Sequence, residues 1–226
     1  MRCSCMRPSR MRHSWFAVAL MLTSLGAQAQ LSKRGTSEPV GWELAPFAGY
    51  RFGGDFSVVT DVQLAAEVDG TVDIDNAAAY GLVLEFPSGH QTQWQIMYSH
   101  QATEFDLQGQ GLVDTKADID IDYLHFGGTF VLDGDKVRPY VGVGFGVSQF
   151  RPDADGFDDE TEFSVGFMGG YKIRMTERIG LRLDFRALGT VVDSDSRIFC
   201  SGGCIVRWNG NMFWQYEATL GLNFYL

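Results

Sequence analysis

No run of about 20 apolar residues occurs in this chain, and that absence excludes a membrane-spanning helix. The longest apolar stretch, Trp15 to Leu25, is roughly half that length. Positive charge is also scarce. Lys and Arg number 18 against 28 Asp and Glu, giving a formal charge of −10 over 226 residues. Such a chain is a poor partner for nucleic acid, whose phosphates demand a basic surface. Cysteine is limited to four residues and histidine to four, so a metal centre built from Cys and His has little to draw on. Neither a glycine-rich phosphate loop nor a clustered set of metal ligands is present, and no cofactor is expected.

What is present begins with an export signal. Arg2, Arg7, Arg10 and Arg12 precede the apolar run, and Ala27-Gln28-Ala29 follows it. A charged segment, a short apolar core and a small-x-small site together predict a signal peptide over 1–29. A short periplasmic segment over 30–40 and a single domain over 41–226 then follow. Four of the basic residues leave with the signal and none of the acidic ones do, so the exported chain is more acidic still. Cys3 and Cys5 leave too. Cys200 and Cys204 remain as one pair in an oxidising compartment, where a disulfide is the default expectation.

The end of the chain is the clearest signal. From Tyr216 to Leu226, every second residue (Tyr216, Ala218, Leu220, Leu222, Phe224, Leu226) is apolar. Period-two alternation puts these on one face of a β-strand. An exposed apolar terminal strand invites aggregation in water, whereas a closed barrel in lipid requires one.

Seven similar segments precede it, giving approximate strands at 41–52, 76–86, 91–102, 119–132, 137–150, 161–174, 179–191 and 212–226. Turn-forming residues link the second strand to the third (Pro87 to His90), the fourth to the fifth (Asp133 to Lys136) and the sixth to the seventh (Met175 to Arg178). The other connections are long and polar. Short turns alternating with long loops predict an all-β, eight-stranded antiparallel up-and-down transmembrane barrel. The first long gap, 53–75, has room for a further hairpin between Val58 and Val68. In the fourth strand Asp118, Asp120 and Asp122 share phase with Leu124, Phe126 and Phe130, so either the strand rises above the membrane or a bulge resets its register.

Strand phase also predicts contents. Trp42, Trp94, Tyr98, Tyr171, Trp214 and Tyr216 are expected at the lipid–water boundaries. Arg51, Arg138, Lys172, Arg182 and Arg186 fall in the inward phase with Glu43, Glu85, Asp184 and Glu217. Unpaired buried charges are costly, so a near balance of sign predicts a paired lumenal network. Asp153, Asp155, Asp158, Asp159 and Glu160 form an acidic loop, a weak divalent-cation candidate that lacks the spacing of a calcium loop. Catalysis needs a nucleophile beside a base. Ser99 and His100 are adjacent and face opposite ways, and His125 and His90 show no Ser or acid partner along the chain. No enzyme is expected.

Trp42 to Gly54, Asp122 to Gly128 and Val137 to Gly144 resemble the strands of small outer-membrane β-barrel proteins of the OmpA/OmpX/OmpW-like group. Thr219, Gly221, Phe224 and Leu226 are similar to the C-terminal signal read by the barrel-assembly machinery, with Leu226 in place of the usual terminal Phe. The resemblance covers nearly the whole exported chain. It implies a Gram-negative outer-membrane address among lipid, and the acidic loop carboxylates are expected to reach lipopolysaccharide phosphates through divalent cations. A monomer is expected. A barrel plugged by its own side chains, serving envelope integrity or surface interaction through acidic loops, is the leading functional reading. A narrow channel for small solutes is the alternative, and a lipid-modifying enzyme a remote one.

Overall fold

The computed structural model describes residues 41–54, 56–62, 66–109, 115–153, 159–191, 205–208 and 212–226. Eleven strands run along them: β1 (Glu43–Phe52), β2 (Phe56–Val62), β3 (Ala66–Ile74), β4 (Ala77–Pro87), β5 (Thr92–Gly109), β6 (Thr115–Val131), β7 (Val137–Asp153), β8 (Glu160–Arg174), β9 (Ile179–Thr190), β10 (Ile205–Trp208) and β11 (Phe213–Tyr225). Eight of them close a barrel. Each of β1, β4, β5, β6, β7, β8, β9 and β11 pairs antiparallel with the next, and β11 returns to β1 through pairs such as Phe47 with Gly221. Closure removes both sheet edges, which is what a strand-built membrane wall requires. These eight strands match the eight read from periodicity. The proposed signal peptide, the segment 30–40 and both remaining cysteines lie outside the described residues.

The first long connection does hold a hairpin. β2 pairs β3 from Phe56 with Val72 to Val62 with Ala66, and β3 then adds to the upper part of β5. The chain leaves β1 through Gly53 and Gly54, whose φ values of 80° and 116° suit glycine. β10, which alternation did not reveal, pairs β2 through Ile205 with Asp61 to Trp208 with Val58. The wall therefore continues on the long-loop side as a small sheet of β10, β2, β3 and β5.

β6 settles the question its aspartates raised. It pairs β5 from Thr92–Phe130 to Leu107–Thr115 and β7 from Val131–Tyr140 to Asp118–Asp153, in constant register with no bulge. Below Leu124 its outward residues are apolar and exposed, namely Leu124, Phe126 and Phe130. Above it the outward positions are Asp122, Asp120 and Asp118, while the inward ones are Ile121 and Ile119, both buried. The strand keeps its phase and the pattern inverts. Its outer face meets lipid below and water above, so the favoured outward chemistry changes along one continuous strand. The same step appears in β5, from Tyr98 to His100, and in β7, from Val147 to Gln149.

That step marks a boundary. Asp122 accepts hydrogen bonds there from Tyr98 Oη and His100 Nδ1, each at 2.8 Å, and pairs with Arg151. Tyr50 and Tyr80 are exposed toward the same rim, and Tyr80 packs on His100 at 5.0 Å between ring centroids. The girdle residues anticipated from phase all point outward, with Trp42 stacked on Phe86 and Trp94 on Phe126 near the short turns.

Candidate functional site: the barrel lumen

All nine charges assigned to the lumen from strand phase are buried. Eight of them form one continuous chain. Lys172 Nζ lies 2.9 Å from Glu43 and 2.5 Å from Glu85. Glu85 meets Arg182 at 2.8 Å, and Arg182 meets Asp184 at 2.8 Å. Asp184 contacts Arg186, which reaches Glu217 at 2.6 Å, and Glu217 reaches Arg51 at 2.7 Å. The signs alternate without a break over four acids and four bases. Glu43 and Arg51 are eight residues apart on β1, so the chain climbs about 26 Å of strand.

Neutral side chains complete it. Gln93 donates to Glu43 and accepts from Lys172, at 2.9 and 2.8 Å. Asn223 donates to Glu43 at 2.5 Å, and Gln95 to Glu85 at 3.0 Å. Ser99 Oγ donates to Glu217 at 2.7 Å. Tyr140 Oη donates to Asp184 and accepts from Arg182 Nη2 at 2.7 Å, with the Arg182 guanidinium 4.7 Å over its ring. Phase places these neutral residues inward, yet alternation says nothing of which charge each one meets, because the partners lie on other strands. Arg138 differs from the other eight: its Nε and Nη2 are buried with no partner.

The long-loop half of the lumen holds an apolar cluster among buried neutral polar side chains, which the charges did not suggest. Phe105, Ile119, Ile121, Tyr123, Phe150, Leu188 and Phe213 are buried together, with Phe47, Val83 and Met97 beneath them. Phe150 and Phe213 meet edge to face at 5.9 Å. Arg51 joins the two halves, lying 4.9 Å over the Tyr123 ring. Polar bonds persist around this layer, as in Tyr123 Oη to Gln215 at 3.0 Å.

His125 does have a serine partner, which linear reading missed: Nε2 lies 2.6 Å from Ser164 Oγ across three strands. Both are buried, and the imidazole also packs edge-on to Tyr123. Gly166 makes room for it. A Cβ there would stand 2.8 Å from His125 Nδ1 and 3.1 Å from Cε1. Gly166→Ala is expected to cost about 1–3 kcal/mol through overpacking, read as an earlier urea midpoint in lipid vesicles. An unchanged midpoint would show that the imidazole moves freely.

The remaining candidates are scattered. Asp153 and Asp159 are exposed and Glu160 is half-buried, whereas Asp155 and Asp158 lie outside the described residues. Among the described residues no three His, Cys, Asp or Glu group to hold a metal ion. Asp153 instead extends an outward acidic row, Glu104–Asp118–Asp153, in register across β5, β6 and β7. Of the residues read from the sequence as an assembly signal, Thr219 and Gly221 face inward and Leu226 is exposed, with β11 held between β1 and β9.

Comparison with known proteins agrees with this architecture. A family model described as the outer membrane protein beta-barrel domain matches residues 16–224. The crystal structure of the outer membrane protein OprG from Pseudomonas aeruginosa superposes with a TM-score of 0.61 at 15% identity, covering 84% of this chain and 99% of that one. The solid-state NMR structure of the outer membrane protein AlkL in DMPC lipid bilayers gives 0.54 at 16% identity, covering 87% and 95%. No curated protein sequence matches significantly.

Proposed function

This chain belongs to the outer membrane protein beta-barrel domain family, and from that premise we propose that it is a closed, non-conducting barrel. Its work is then structural and at the cell surface: it stabilises the envelope and presents its long-loop rim to partners. The observation that carries this reading is the unbroken lumenal chain from Glu43 to Arg51, capped by the apolar layer around Phe150 and Phe213. A hydrated ion moving through would have to part charges already matched one to one, then cross a layer offering it little. An eight-stranded barrel is about wide enough to be filled by its own side chains.

The rim favours surface interaction. β5, β6 and β7 extend past the boundary at Tyr98, Leu124 and Val147, and their outward faces turn polar and acidic there. Such a face suits contact with lipopolysaccharide phosphates through divalent cations. Cleavage after Ala29, a Cys200–Cys204 disulfide, recognition of the C-terminal strand by the assembly machinery and a monomeric state belong to the same proposal. The buried His125–Ser164 pair is read as structural, since both side chains are sealed from substrate.

The test is single-channel recording on refolded protein in a planar bilayer, with folding verified by heat-modifiable gel mobility. We expect silence. Reproducible conductance steps whose ion selectivity changes in Arg182→Ala/Arg186→Ala would replace this reading with that of a narrow channel.

A further inference from the structure

We propose that Arg138 anchors a site for a phosphate-type oxyanion at the short-turn mouth of the lumen. Arg138 is the second residue of β7 and faces inward, with 8% of its surface exposed. Lys172 stands directly across from it on β8, so its register partner repels it. The carboxylates on this side of the lumen are committed elsewhere. Glu43 is taken by Lys172, Gln93 and Asn223, and Glu85 by Lys172, Arg182 and Gln95. Asp133 at the adjoining turn is exposed and has an interaction of its own. The other inward neighbours, Val131, Tyr140 and Met168, form a small buried cluster that lacks negative charge.

Arg138 is therefore surplus. The eight-membered chain is already neutral, and a guanidinium cannot shed its proton to escape the cost of burial. Two of its three nitrogens are orphaned donors. A group with that cost and no internal compensation calls for an external anion. The planar fork selects for oxyanions that accept two parallel hydrogen bonds. Position offers two sources of the same chemistry: free phosphate from the periplasm, or the headgroup phosphate of a phospholipid in the periplasmic leaflet.

The experiment follows thermal unfolding of the refolded protein in phosphate-free alkyl maltoside micelles. Without ligand, Arg138→Met is expected to unfold at a higher temperature than wild type, because the substitution removes an uncompensated charge. Added inorganic phosphate is expected to raise the wild-type midpoint and leave Arg138→Met unmoved, as binding to the native state alone requires. Lys136→Gln, which alters an exposed turn cation, keeps the wild-type response. A rise with phosphatidylglycerol but not with inorganic phosphate assigns the site to a lipid headgroup, and the reverse assigns it to a free solute. The proposal is overturned if neither moves the wild-type midpoint, if sodium chloride at equal ionic strength moves it as far, or if Arg138→Met is the less stable protein in the absence of ligand.

Discussion

Glu217→Ala is expected to destabilise the barrel by about 3–5 kcal/mol, the cost of breaking a buried pair by removing one partner. Glu217 holds two guanidinium groups at once, Arg51 at 2.7 Å and Arg186 at 2.6 Å, and also accepts from Ser99. Its loss leaves Arg51 with no acid and Arg186 with Asp184 alone. Both arginines are fully buried, so water cannot replace the carboxylate without entering the lumen. The companion variant carries the argument further. Arg51→Met added to Glu217→Ala leaves a shorter chain, Glu43 to Arg186, which again alternates with equal numbers of each sign. The double variant is therefore expected to be more stable than Glu217→Ala alone, a coupling that a mutant cycle measures directly. Urea titration in lipid vesicles, followed by tryptophan fluorescence, gives both numbers. A Glu217→Ala shift under about 0.5 kcal/mol, the scale of ordinary surface changes, would mean that the lumen is wet and the chain contributes little.

Phe213→Ala should cost about 3–5 kcal/mol, as expected for emptying an aromatic site in a packed core. Phe213 is 2% exposed and meets the edge of Phe150. The matched control lies on the other side of the wall. Phe145 is 56% exposed, in the outward phase of β7, and Phe145→Ala is expected to cost roughly 1–2 kcal/mol from lost apolar transfer alone. Acyl chains flow into the space left by Phe145, whereas nothing fills the space left by Phe213. Equal losses at the two positions would sink the assignment of an apolar lumenal layer. Phe150→Ala/Phe213→Ala is expected to cost less than the sum of the single changes, since the two rings share one contact. In the same bilayer recordings, this double variant keeps the charge chain and is expected to stay silent.

The distinction between the two phenylalanines also shows how far one dimension carries. Alternation in β7 sets Val141, Val143, Phe145 and Val147 against Tyr140, Gly142, Gly144 and Gly146, and the structure places the first set toward lipid and the second toward the lumen. Phase alone was enough to name the nine buried charges that face the lumen among the described residues, because a strand has two faces and the apolar one is claimed by the membrane. It assigned no side to Ile119, Ile121 and Phe150, which the structure buries in the lumen. There the strands have left the lipid, and an apolar residue points inward as it would in a soluble protein.

The number of barrel strands, the alternation of short turns with long loops, the outward girdle and the sign balance of the lumen were all set by the chain itself. Each depends on local spacing or on summed charge, and neither needs the third dimension. Tertiary structure alone decided which acid meets which base, why Arg138 is left over, and where His125 finds Ser164. It also decided that β6 runs without a bulge and that β10 returns to pair with β2. Those outcomes depend on register between strands as many as 180 residues apart, as Glu43 and Asn223 are, and register across a closed barrel is a property of the whole sheet.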